Sequence, residues 1–386
     1  SGLESISVAS GNPKFHSEGN CLIETASHTL IQGCKNSVIP DDVTTIGGGA
    51  FANCTSVTSI EIPASVTHIG DFAFSGCTSL TSIEIPASVT SIGDYAFSGC
   101  PGLTSVTIYA PSLSYYGADS FVNHASGRKI YVFNSCVNTY KGYASRMNFN
   151  KNDVQPIAGI SLKDAADNSS LVAAAHGNEL DVTLQGRKLT ANNWNTLCLP
   201  FDLSCAQIES LFGSGTQVKT LSSYSNDGTT VTITYEDATT IEAGKPYIVK
   251  PTNTVTDPVF SDVTISNTMN DVTKGDATFK GTYGPVALTA NDKQRLFLAN
   301  NTLWYPTANL TVRSCRAYFE LDADVPETAG APSIVIEYGE ATSLTPAPSP
   351  TGEGSGYWFT LDGRKLDKKP TTKGMYIHNG HKVVIK

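Results

Sequence analysis

Charge is scarce in this chain. Only 16% of its 386 residues are Asp, Glu, Lys or Arg, against about a quarter in average domains. The balance is −9, which excludes the chain as a whole as a nucleic-acid binder, because phosphate contacts need clustered Lys and Arg. Long apolar runs are absent too. No stretch of about 18 apolar residues occurs, so no membrane span is expected. The short motifs of catalysis are also missing: no HExxH, GxSxG, P-loop or glycine-rich turn after a strand is present. The histidines stand singly at His16, His28, His68, His124 and His176, with one close pair, His378 and His381, flanking Asn379-Gly380 as exposed turn residues. No CxxC or His-Cys cluster has metal-site spacing. No catalytic residue, metal ligand or cofactor is therefore assigned, and a non-enzymatic protein is expected.

What the chain does have is Ser, Thr, Asn, Gly and β-branched residues, with 40% hydrophobic content. That composition favours a mainly β, turn-dense architecture, and the length suits two or three domains. One sentence repeats in it. Val57-Thr58-Ser59-Ile60-Glu61-Ile62-Pro63 returns as Leu80-Thr81-Ser82-Ile83-Glu84-Ile85-Pro86, and Ile69-Gly70-Asp71-Phe72-Ala73-Phe74-Ser75-Gly76-Cys77 returns as Ile92-Gly93-Asp94-Tyr95-Ala96-Phe97-Ser98-Gly99-Cys100. The period is 23, since 86 − 63 = 23 and 63 − 40 = 23 for Pro86, Pro63 and Pro40. A fixed period of this size means a solenoid.

Alternation places Ile83 and Ile85 inward on a short strand, and Pro86 ends it. Val89 and Ile92 form a second inward pair, Gly93 permits a turn, and Phe97 fills the middle of the coil. Matching the strand gives six rungs: Leu3 to Val8, Cys34 to Ile39, Val57 to Ile62, Leu80 to Ile85, Leu103 to Ile108, and Arg128 to Val132. The first coil carries extra residues, read as a small hairpin projecting from the stack. The aromatic segment Tyr140 to Phe149 reads as a terminal cap. Cys54, Cys77 and Cys100 recur at the period and read as small buried packing residues. Cys21 with Cys34, and Cys198 with Cys205, would pair as disulfides only in an oxidising compartment; the sequence leaves this open.

The repeat I-P-x-S-V-T-x-I-G-x-x-A-F-x-x-C resembles the BspA-type leucine-rich repeat. This family's repeats occur in bacterial surface and secreted proteins, many of them from Bacteroidetes, and in some protozoan surface proteins. The resemblance implies an extracellular or cell-surface setting, export by a signal removed before Ser1, and adhesion-like binding of a host or bacterial surface protein or glycan. It names no ligand. Geometry suggests where one would sit. With Ile60 and Ile62 inward, the outward column holds Ser59, Ser82 and Ser105, and the next holds Glu61, Glu84 and Thr107. These six are the candidate ligand-binding residues. A second candidate is the aromatic group Tyr109, Tyr115, Tyr116, Phe121, Tyr131 and Phe133, which serves either recognition or the sealing of the core.

Four segments are expected: the solenoid with its cap over 1–156, an all-β sandwich-like domain over 157–345, a Pro/Gly/Ser linker over 346–356, and a basic β-hairpin tail over 357–386. In the second, Val182 to Leu184, Leu197 to Leu199, Val231 to Ile233, Tyr247 to Val249, Val263 to Ile265, Leu296 to Leu298, Ala317 to Phe319 and Ile334 to Ile336 read as strands, and Asn226-Asp227-Gly228 as a hairpin turn. Carbohydrate binding or processing there is the alternative function, and a structural surface spacer is a third. The tail carries seven Lys or Arg and two Asp, a net +5, leaving −14 on the rest. It resembles short sorting-type segments of exported Bacteroidetes proteins and reads equally as a small docking sheet. Envelope attachment would then run through the removed signal or this tail.

Overall fold

Each 23-residue repeat closes into one coil, and the later coils contribute a short strand to each of two sheets. In the clearest coil Ser82–Ile85 is the first strand and Ser91–Ile92 the second, with Pro86 between them. Ser82–Ile85, Ser105–Ile108, Lys129–Val132 and Val154–Pro156 stack in parallel as a four-stranded sheet. Thr45–Ile46, His68–Ile69, Ser91–Ile92 and Tyr115–Tyr116 stack in parallel on another side. This computed structural model describes residues 3–123 and 125–328, then 331, 332 and 334–338. Beyond these it describes the backbone of four strands nearer the C-terminus. Residues 1–339 form one compact unit and 340–386 another.

The repeated letters have physical reasons. Phe51, Phe74, Phe97 and Phe121 are all fully buried. They stack ring on ring along the axis, with centroids 5.2, 5.2 and 5.3 Å apart. Each pair adds roughly 0.5–1.5 kcal/mol beyond the burial itself. Cys77 and Cys100 lie beside this column and donate to the carbonyls of Phe51 and Phe74 at 3.2 and 3.3 Å. Hydroxyls knit neighbouring coils: Ser88 Oγ donates to Val66 O at 2.7 Å and Thr90 Oγ1 to Thr67 O at 3.2 Å, as Ser65 and Thr67 do one coil earlier. The Ser/Thr richness thus supplies backbone carbonyls with partners as well as suiting strands.

Gly93 is needed for a different reason than a turn. A Cβ there would lie 2.5 Å from Asp71 N and 2.6 Å from Gly70 C. The preceding coil approaches too closely for any side chain. The left-handed positions of the repeat fall instead at Gly49, Phe72 and Tyr95, with φ of 68°, 56° and 55°, and at Asn53, Gly76 and Gly99, with φ of 57°, 72° and 65°.

Three rung expectations are corrected. Leu3 to Val8 forms no strand, and Leu3 stays 42% exposed. The stretches Cys34 to Ile39 and Val57 to Ile62 bury Ile39, Val57 and Ile62, but strand pairing on this face begins only at Ser82. A rung missing from the repeat count, Val154–Pro156, ends the sheet. The extra residues of the first coil do not project either. Phe15–Glu18, Cys21–Glu24 and Thr29–Gln32 form an antiparallel meander, and its last strand pairs in parallel with Thr45–Ile46. The meander therefore extends the second sheet and covers its first coil.

At the other end lies the helix Val137–Met147, which buries Tyr140, Ala144 and Met147. The last carbonyls of a helix have no partner within it. Here the O atoms of Arg146 and Met147 accept the N–H groups of Asp119 and Phe121 from the final coil, at 2.8 and 3.0 Å. Phe149 closes the ring column edge-on against Phe121, 6.1 Å between centroids.

Core packing continues without a break into the following strands: Ile157, Ile160 and Leu162 belong to the same buried cluster as the coils. All eight strand segments anticipated beyond residue 157 lie in strands or overlap them. They are distributed over several small sheets, of which the two largest have five strands each. A separate core gathers Tyr235, Phe279 and Phe319. Asp227 shapes the anticipated turn by accepting from the N–H groups of Thr229 and Thr230 at 2.8 and 2.7 Å. Two helices were not anticipated, Ser169–Ala175 and Cys205–Phe212. The second carries a capping box, a signal legible in Ser204 and Gln207. In the C-terminal unit Gly374–His378 pairs antiparallel with His381–Ile385, and His378 stands opposite His381. The linker proposed for 346–356 lies outside the described residues.

Candidate functional site

The parallel register on the four-stranded face is in step with the repeat. Ser82 stands beside Ser105, and Glu84 beside Thr107. The columns then run on to Lys129, and to Tyr131 and Gln155. Ile83, Ile85, Val106 and Ile108 are buried behind them. Ser59, Glu61, Ser82 and Glu84 are exposed; Ser105 and Thr107 are half-buried. Among the described residues no hydrogen bond engages the side chains of Ser82, Glu84, Ser105 or Thr107. Glu61 differs: Lys163, from the strand Gly159–Lys163, pairs with it. The chain's own second region thus touches the earliest coil of the proposed face.

The aromatic candidates do not form one platform. Phe121 and Phe133 are fully buried core. Tyr109 and Tyr131 are half-buried near the four-stranded face, whereas Tyr115 and Tyr116 belong to the other sheet. Burial, with Glu84 nearby, pushes the Tyr109 phenol well up. Tyr115 donates to Asp94 at 3.0 Å and Tyr116 stacks on Tyr143 at 4.1 Å.

All nine cysteines are thiols. Cys21, Cys34 and Cys198 are buried and Cys205 is exposed. Burial pushes the Cys77 thiol up to about 12 and that of Cys315 to about 11, the environment of inert packing cysteines. Among the described residues no group of three His, Cys, Asp or Glu could hold a metal, and no helix is long and apolar enough to cross a membrane.

One cluster had no counterpart in the sequence reading. Asp164, 5% exposed, accepts from Arg313 at 3.1 Å and from Arg316 at 2.9 Å on both oxygens. Arg187 is 1% exposed; its Nη2 donates to Thr196 O at 2.5 Å, while its Nε and Nη1 have no partner. Burial pushes this guanidinium down to about 9, and Arg316 pushes the same way against the pull of Asp164. The turn that carries Arg313 and Arg316 is held from beneath. Ser314 N donates to Asp164 O at 3.0 Å, and Ser314 Oγ donates to Tyr283 O and accepts from Asn168, each at 2.6 Å. Cys315 has φ of 54°, a left-handed backbone that a non-glycine residue adopts at a cost. The Arg-x-x-Arg spacing was the only local signal; Asp164 lies 149 and 152 residues away.

Residues 27–146 match the model of the BspA type leucine rich repeat region, in 6 copies. The chain is similar to a leucine-rich repeat protein of Bacteroides ovatus, at 28% identity over 33% of this chain and 30% of that one, TM-score 0.26. It is also similar to a leucine-rich repeat protein of Eubacterium ventriosum, at 24% identity over 42% and 45%, TM-score 0.30. A third is the pneumococcal vaccine antigen PcpA, at 19% over 39% and 49%, TM-score 0.23. The chain thus spans under half the length of each. No curated protein matches it. The coiled part of this protein, residues 27–146, is a BspA-type leucine-rich repeat region.

Proposed function

We propose that this is a non-enzymatic, exported surface or secreted protein that binds a protein partner through the strand face of its solenoid. The observation that carries this is the in-register polar face: Ser82 beside Ser105 and Glu84 beside Thr107, with no side-chain hydrogen bond committed within the described residues. A stacked array of this kind sets polar side chains side by side at the strand spacing of about 4.8 Å. It therefore suits an extended surface better than a small substrate. The repeat family supports the extracellular setting. Glu61, held by Lys163, marks one border of the face.

The test is surface plasmon resonance of the full chain against a panel of extracellular-matrix proteins and glycans. Glu84→Arg and Ser105→Arg serve as face variants. The expected result is a protein ligand whose affinity falls about tenfold or more in both, the scale of a lost interface anchor. Unchanged binding in both variants overturns the strand-face reading. Turnover of any glycan or peptide by the purified chain overturns the non-enzymatic one.

A further inference from the structure

Beside the arginine cluster lies a depression of about 220 Å³, whose lining includes Thr196, Phe297, Leu310, Arg313 and Arg316. A second, of about 270 Å³, shares Leu310 and Thr311 with it and continues past Leu288, Thr289 and Asn309. Each is smaller than the roughly 300–1,000 Å³ of drug-sized sites, so each takes a group of about one ring. The first has two guanidiniums in its wall and no carboxylate. Arg313 and Arg316 pair with the single carboxylate of Asp164, and the Arg187 guanidinium is near enough to feel its charge, an excess of two positive charges in a chain whose balance is −9. Arg187 lies directly behind Thr196 with two nitrogens unpartnered.

The walls away from the charge are apolar and hydroxylic. Phe297 stands opposite Trp304 across the antiparallel pair of strands, and Trp304 is 43% exposed. The half-buried ring of Phe297 in the same wall as a guanidinium pair and threonine hydroxyls suits a ring with one apolar face, several hydroxyls and a carboxylate.

We propose that this groove binds an acidic saccharide. The carboxylate of one sugar ring is held by Arg313 and Arg316 in the first depression, and the neighbouring ring lies over Leu310 and Thr311 in the second. Arg313 is the more exposed of the pair, at 58% against 30% for its side chain, and makes the first contact. Arg316, whose Nη2 already bridges both oxygens of Asp164, fixes the direction of approach. The site is independent of the strand face and stands or falls separately from it.

Calorimetric titration of the full chain with glucuronic acid, its neutral methyl ester and glucose tests the proposal, with digalacturonic acid as the two-ring probe. The expected result is a Kd on the order of 1 mM or tighter for glucuronate. The ester and glucose should bind at least about tenfold more weakly, as loss of a charge-assisted pair requires, and digalacturonate should bind more tightly than one ring. Arg313→Gln should weaken glucuronate by a similar factor with an unchanged melting curve, because Arg316 Nη2 still bridges both oxygens of Asp164. If that variant does not fold, the ester comparison decides alone. Equal binding of acid and ester, no binding of either, or full binding by Arg313→Gln overturns the site. An acetylated triglutamate peptide that binds as tightly as glucuronate overturns the saccharide assignment.

Discussion

Asp71 Oδ1 accepts the backbone N–H of Asp94, its counterpart one coil later, at 2.8 Å. Asp94 Oδ1 in turn accepts from Ala118 N at 2.7 Å and from Tyr115 Oη at 3.0 Å. The repeated aspartate is therefore a rung-to-rung tie, where a carboxylate serves donors that the next coil leaves open. Asp94→Ala should lower stability by about 1 kcal/mol, more than Asp71→Ala, because it strands two donors instead of one. Asp94→Asn, which keeps the acceptor oxygen, should recover most of the loss. Urea denaturation of the three variants checks the order.

The ring column sets the stability of the coils. Phe74 lies between Phe51 and Phe97, 5.2 Å from each and within 3° of parallel to both. Phe74→Ala opens a cavity in the middle of the stack and should cost about 3–5 kcal/mol. Phe74→Leu refills most of the volume and should cost distinctly less. Equal losses in chemical denaturation would show that the stack contributes through ring contacts rather than volume.

Two glycines separate close packing from chain freedom. Gly93 has the preceding coil's backbone within 2.6 Å of where a Cβ would stand, whereas Gly142, inside the helix Val137–Met147, meets nothing within 4 Å. Gly93→Ala should lower the melting temperature sharply. Gly142→Ala should raise stability by about 0.5–1 kcal/mol.

The cysteines give a count. Cys205 alone is exposed, and the other eight are buried. A thiol reagent at neutral pH should therefore modify one thiol in the folded protein and nine after denaturation without reductant. Cys205→Ser should abolish the native reaction. A denatured count of seven would instead reveal one disulfide.

The coils were legible because each letter of the repeat does one local job many times. Ile83 and Ile85 inward, Pro86 at the strand end and Phe97 on the axis follow from alternation and period. Gly93 was legible as a required glycine, but its cause was not: the constraint comes from a coil 23 residues away, which no local rule contains. The projecting hairpin was misread for a similar reason. Cys21 to Glu24 and Thr29 to Gln32 have hairpin composition, yet their destination depends on the open edge at Thr45–Ile46. The Ser82 and Glu84 columns could be written from the period. That Lys163 reaches Glu61 could not.

The sequence by itself determined the repeat, the inward and outward faces of the coils, and eight strand segments of the second region, since these follow from side-chain period and turn chemistry over a few residues. Only the tertiary structure decided where the ends of the stack close and which side chains meet at Asp164. Those outcomes rest on contacts between residues 16 to 152 positions apart, where no periodicity carries the information and the pairing of buried charge and open backbone groups makes the choice.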